Sequence, residues 1–215
     1  MRSDEIEHLL GRRDKNFERE LRSITLAPYL AKARALIAVP GKGGANLFRH
    51  QLFTLSVLMD YGVTDPVLLK AAAIHDLFED ALGRPQSTVE EEVRRIDADG
   101  PAVCALVSEV TMRTENNVRE PKSQFLARIM VCGSSRARIL KLADRISNIT
   151  FLGFVHDRGF IERYLAETRM DILPYAEGIS RDMCRELTDL VEDRERKLRL
   201  TDPGAQRPAR ADAEL

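Results

Sequence analysis

The stretch Ala71-Ala72-Ala73-Ile74-His75-Asp76-Leu77-Phe78-Glu79-Asp80 decides the reading of this chain. A small apolar run ends in an adjacent His-Asp pair, and two more carboxylates follow within four residues. The pattern predicts a helix over 66–80, capped by Asp65 and opened by Pro66. On a helix, residues three and four apart share a face, so Asp76, Glu79 and Asp80 would crowd one another. Clustered carboxylates repel, and partial burial makes that costly unless a positive charge sits among them. A divalent cation would supply it, with His75 as a second type of ligand.

Outward from this stretch, helical periodicity dominates and strand signals are nearly absent. Residues 1–22 read as a mostly charged amphipathic helix within an N-terminal segment, 1–26. Helices are predicted over 27–39, stopped by Pro40 and the glycine loop 41–44, and over 47–61, capped by Asn46 and ended by Gly62. Ser87-Thr88-Val89-Glu90 has the form of a capping box opening a short charged helix. Further helices are predicted over 102–110, 122–131, 137–151, 160–175 and 180–197, with 112–121 as a polar surface loop. Residues 201–215, rich in Pro, Ala, Arg and Asp, read as a disordered tail. The expectation is an all-α protein with one domain of eight or nine helices over 27–200.

Composition narrows the class. The 215 residues are 44% hydrophobic and 31% charged, which suits a globular chain. The net charge of −1 offers no general reason to expect nucleic acid or an anionic membrane as partner. No stretch approaches a membrane span, and no apolar signal segment follows Met1, so a cytoplasmic location is expected. Cys104, Cys132 and Cys184 are too few and too scattered for a disulfide framework or a cysteine zinc site. Each lies among apolar residues and reads as a small core side chain.

Three features strengthen the His75-Asp76 signal. His50 lies on the preceding helix, and helices joined by a short turn pack antiparallel. Lys141-Leu142-Ala143-Asp144-Arg145-Ile146-Ser147-Asn148 sets Asp144 and Asn148 one turn apart on a late helix. Apolar neighbours surround Asp144, and a carboxylate in such a place needs a partner. His50, His75, Asp76 and Asp144 would together offer two imidazoles and two carboxylates. That mixed set suits Mn²⁺, Fe²⁺ or Zn²⁺ with positions left for water. Each residue also has a plainer reading. His50 could be a polar helix residue, Asp144 and Arg145 a structural ion pair, Lys42 a solvated loop residue. His8 and His156, away from any acidic motif, read as surface residues.

These motifs resemble the HD-domain phosphohydrolases, and among them the hydrolase domain of the RelA/SpoT family of alarmone enzymes. His75 to Asp80 is similar to that family's His-Asp-x-x-Glu-Asp element, and Lys141 to Asn148 to its Lys-Leu-Ala-Asp-Arg-x-x-Asn element. Lys42-Gly43-Gly44 resembles its basic glycine loop, and the likeness runs from Ala27 to Ala176. The resemblance implies a Mn²⁺-dependent enzyme that removes pyrophosphate from the ribose 3′ position of guanosine tetra- or pentaphosphate. It implies metal ligands at His50, His75, Asp76 and Asp144, water-activating acids at Glu79 and Asp80, and nucleotide contacts at Lys42 and Asn148. With no synthetase domain following, it implies a stand-alone small hydrolase. The departures are equally specific. The loop Arg that packs on guanine in the family is Gly41 here, an upstream His falls near Leu36, and the Pro after the first metal His is Gln51. Metal and water chemistry are therefore expected intact, with base recognition altered. Two alternatives stand beside this reading: an HD nucleotidase or phosphodiesterase acting on another phosphorylated nucleotide, and a non-catalytic nucleotide-binding module.

Overall fold

The computed structural model describes residues 16–41, 46–79, 83–116, 118–153 and 156–201. Most of the N-terminal helix predicted over 1–22, the tail beyond 201, and both Lys42 and Asp80 lie outside the described residues. Helix α1 is Phe17–Arg22 and α2 is Ala27–Ala33, followed by a 3₁₀ turn at Arg34–Ala38. Next come α3 (Leu47–Asp60), α4 (Pro66–Ala72), α5 (Gln86–Arg94) and α6 (Gly100–Val110). A small hairpin, β1 (Thr114–Glu115) and β2 (Val118–Arg119), precedes α7 (Lys122–Cys132), α8 (Ser135–Thr150) and α9 (Arg158–Asp171). The short α10 (Leu173–Ala176) and the long α11 (Arg181–Leu200) complete an all-α bundle.

The middle of the bundle is α8. Its residues from Ile139 to Ser147 are all buried, whichever way they point. A helix that is buried all round must be enclosed by others, and α3, α4, α6, α7 and α11 surround it. Each buried Leu or Ile contributes about 1.5–3 kcal/mol over leaving it exposed. This central packing therefore fixes where Lys141, Asp144, Ser147 and Asn148 sit.

Local signals place the helix starts. The Asn46 side chain accepts from the Arg49 N–H, Asp65 from Leu68, and Ser134 from Ala137. Gly62 ends the α3 turn with φ of 72°, a conformation that glycine adopts without strain. Other boundaries differ from expectation. Helix α5 opens at Gln86 after Pro85 without a side-chain cap, so Ser87 is inside the first turn and forms no capping box. The helix predicted over 160–175 breaks after Asp171, because Pro174 has no N–H to continue the ladder. The loop predicted at 112–121 contains the hairpin, which turns at Asn116 with φ of 51°. Cys104 is buried as expected, but Cys132 is exposed at the end of α7 and Cys184 is half-buried. His156 is also half-buried, stacked on Phe160 with ring centroids 4.5 Å apart.

Candidate metal centre and pocket

The helix predicted to run through Asp80 stops at Ala72. His75 contacts this helix end. Its Nδ1 lies 2.9 Å from the Ala72 carbonyl, the acceptor that the Asp76 N–H would use in a continuing helix. The chain then advances by tighter turns: Leu77 N–H donates to Ile74 and Glu79 N–H to Asp76, at 2.9 and 3.2 Å. Asp76 and Glu79 thus do not share a regular helical face, and their placement depends on packing.

Four side chains meet beneath α8. His50 Nε2 is 3.2 Å from His75 Nε2, with the two rings nearly perpendicular at 70°. Asp144 Oδ1 is 3.0 Å from His50 Nε2 and 3.6 Å from His75 Nε2. Asp76 Oδ2 lies 3.5 Å from each imidazole nitrogen. Residues from α3, from the turns after α4 and from α8 therefore converge within a few ångströms, although His50 and Asp144 are 94 residues apart.

The donor set fits a divalent cation. With Nδ1 of His75 donating to a carbonyl, its Nε2 presents a lone pair to the centre. Ser147 Oγ is 3.0 Å from His50 Nδ1 and can accept from it, which turns the His50 lone pair the same way. Asp76 Oδ2 and Asp144 Oδ1 each approach both imidazole nitrogens. Lone pairs so arranged repel unless positive charge lies between them. In the metal-free cluster a proton takes that place. Burial opposes a charged His75, but Asp76 and Asp144 outweigh it and raise its pKa from 6.5 to about 9. Burial likewise opposes a charged Asp144, yet the Lys141 ammonium and the two imidazoles hold its carboxyl well below the usual range. Lys141 Nζ donates to Asp144 Oδ2 at 2.6 Å, and the Asn148 amide donates to Oδ1 at 2.6 Å.

The cluster forms the floor of a cavity of about 520 Å³, within the size range of small-molecule sites. Glu79 and Asn148 line it, as does Gly41 beside the loop. That loop is tied at its ends, where Pro40 and Asn46 form an antiparallel bridge. Arg49, Arg119 and Lys122 add positive charge to the cavity wall from three different elements. The Glu79 carboxylate is held from the hairpin side. The Met112 N–H donates to Oε1 at 3.0 Å and Arg119 to Oε2 at 2.7 Å.

Of the residues expected from sequence, His50, His75, Asp76 and Asp144 come together, Glu79 and Asn148 share their cavity, and Lys42 and Asp80 are not described. Sequence reading passed over Lys141, Ser147 and Arg119. Lys141 and Ser147 each lie three residues from Asp144, a spacing that places them near it on a helix. Asn116-Asn117, between Thr-Glu and Val-Arg, was the available sign of a two-residue turn that would bring Arg119 back toward the site.

No protein-family model matches this chain, and no curated protein matches it in sequence. A solved structure matches it in fold. It is described as a metazoan ortholog of SpoT that hydrolyzes ppGpp and plays a role in starvation responses. The two share 20% identity with a TM-score of 0.62, over 86% of this chain and 98% of the other. This chain has an HD-domain fold. Within the HD fold, His50, His75 and Asp76 can each bring one ligand atom within 4.8 Å of the others, and Asp144 touches both imidazoles. No described helix is long and apolar enough to cross a membrane.

Proposed function

We propose that this protein is a divalent-metal-dependent phosphohydrolase that removes pyrophosphate from the 3′ position of guanosine-3′,5′-bis(diphosphate). The convergence of His50, His75, Asp76 and Asp144 at the floor of a nucleotide-sized cavity carries this reading. The shared fold with a ppGpp-hydrolysing SpoT ortholog supports it. These four residues would hold the cation, with Mn²⁺ as the first candidate and Fe²⁺ or Zn²⁺ compatible with the same donors. Once bound, such a cation supplies the Lewis acidity that makes water nucleophilic near neutral pH.

The remaining work falls to the chain's own groups. Glu79, with Asp80, orients the attacking water and takes its proton. Water adds to the phosphorus on the 3′ oxygen, that P–O bond breaks, and pyrophosphate leaves the nucleoside 5′-diphosphate. Arg119, Lys122 and Lys42 oppose the charge on the phosphoryl oxygens, and Asn148 holds the ribose. A second reading keeps the chemistry and changes the base. Gly41 offers no guanidinium to stack on guanine, so an adenosine 3′-diphosphate is the competing substrate.

Product analysis on guanosine and adenosine 3′-diphosphates with added Mn²⁺ tests the proposal. Pyrophosphate release is expected from at least one of them. Asp76→Ala is expected to abolish metal loading and turnover together. Glu79→Ala should retain the metal and lose about 10²-fold or more in turnover. Hydrolysis of simple monophosphates alone would favour a general nucleotidase, and tight nucleotide binding without turnover a binding module.

A further inference from the structure

We propose that Gln51 is the positioning residue of the metal centre. Its buried amide holds Asp76 in ligand orientation through hydrogen bonds to both its carboxylate and its backbone N–H.

Gln51 follows His50 on α3 and has no solvent exposure. A buried primary amide needs partners for both its donor and its acceptor. Gln51 finds both on one residue. Its Nε2 donates to Asp76 Oδ2 at 2.8 Å, and its Oε1 accepts from the Asp76 backbone N–H at 3.4 Å. The Ala72 carbonyl, which a continuing helix would offer to that N–H, is bonded to His75 Nδ1. His75 thus gains a fixed ring orientation, and Gln51 serves the Asp76 N–H. The same contact fixes the Asp76 carboxylate, since two bonds from one planar amide restrain both its backbone and its side chain. Helix α3 therefore makes two contributions to the centre: the His50 ring, and the tie that aims a ligand on another segment.

This inference rests on the metal-centre reading above, and the metal alone is the probe. Mn²⁺ is titrated calorimetrically into the metal-free full chain, and the Co²⁺-substituted protein is followed by its d–d absorption. Gln51→Leu fills the same space without hydrogen bonds, and Gln51→Glu keeps the shape but faces Asp76 with a like charge. Both are expected to weaken Mn²⁺ binding about 10- to 100-fold and to alter the Co²⁺ spectrum. Thr54→Val is the packing control. Thr54 is buried one turn along α3, and its hydroxyl has no hydrogen-bond partner among the described residues. It is expected to leave both readouts unchanged. Gln51 variants with wild-type helical content, affinity and spectrum would overturn the inference. Should Gln51→Leu lose its helical content, Gln51→Glu is read on the same two measurements. Wild-type protein that takes up no Mn²⁺ sinks the metal-centre reading itself, whereas tight uptake indifferent to Gln51 sinks this inference alone.

Discussion

His75 joins two levels of the structure: Nδ1 bonds to the Ala72 carbonyl at a helix end, and Nε2 faces two carboxylates and a second imidazole. Its raised pKa has a consequence for stability. In the metal-free protein the folded value is about 9 against 6.5 for an unperturbed histidine. The protonated form is favoured by folding, so the stabilisation is fully present below pH 6.5. It is lost as pH rises through 9, and a shift of that size corresponds to about 3 kcal/mol. A bound cation must displace this proton, so metal binding strengthens over the same interval. Chelator-treated protein should therefore melt at a lower temperature at pH 9 than at pH 6.5. Excess Mn²⁺ should remove that difference. Thermal melts at both pH values would decide, and equal slopes with and without metal would show that the proton and the cation do not share a site.

Helix α4 shows how an element with a legible start can have an unexpected end. Asp65 caps it through the Leu68 N–H at 2.8 Å, and the same carboxylate pairs with Arg136 Nη2 at 2.6 Å. Asp65→Ala should cost about 1–2 kcal/mol, since it removes the cap and an ion-pair partner on α8 together. Asp65→Asn keeps the cap and should cost less, a difference read from urea midpoints. Equal losses would assign the effect to Arg136 instead. Cap and proline are local signals spanning a few residues, which is why 66 was legible as the start of α4. The stop at Ala72 is not encoded that way. Ala71-Ala72-Ala73 is a strong helix-forming run, yet the ladder tightens at Ile74, whose N–H donates to Ala71, and the His75 ring and the Gln51 amide then take up the Ala72 carbonyl and the Asp76 N–H. The hairpin before α7 escaped detection for a related reason. Its strands are two residues each, too short for any alternation to show.

The bundle as a whole is held by polar ties as well as by its apolar core. Lys70 on α4 is 5% exposed and donates to Asp97 and Asp99, each at 2.7 Å, and the Tyr29 hydroxyl on α2 donates to the same Asp97. Burial opposes ionisation of Asp97, but Lys70 and Tyr29 prevail and hold its pKa below the usual value. A depressed carboxyl contributes stability above its unfolded pKa of about 3.9, and that contribution fades as pH falls further. Lys70→Met should destabilise the fold by about 2 kcal/mol at pH 7, less than for a fully buried pair because Asp97 and Asp99 keep some water. The gap between variant and wild type should narrow at pH 3 in urea titrations; a gap independent of pH would assign the loss to packing. At this scale the division between sequence and structure is clear. The sequence by itself determined the helical class, the capped starts at 47 and 66, and the chemical types of the candidate metal ligands. Each is written in residue identity or in neighbours no more than four positions apart. Only the tertiary structure decided that His50 and Asp144 touch, that Glu79 is held by Arg119, and that Gln51 completes Asp76. Those contacts join residues 25 to 94 positions apart, and their distances are set by how helices pack around α8, which no local pattern specifies.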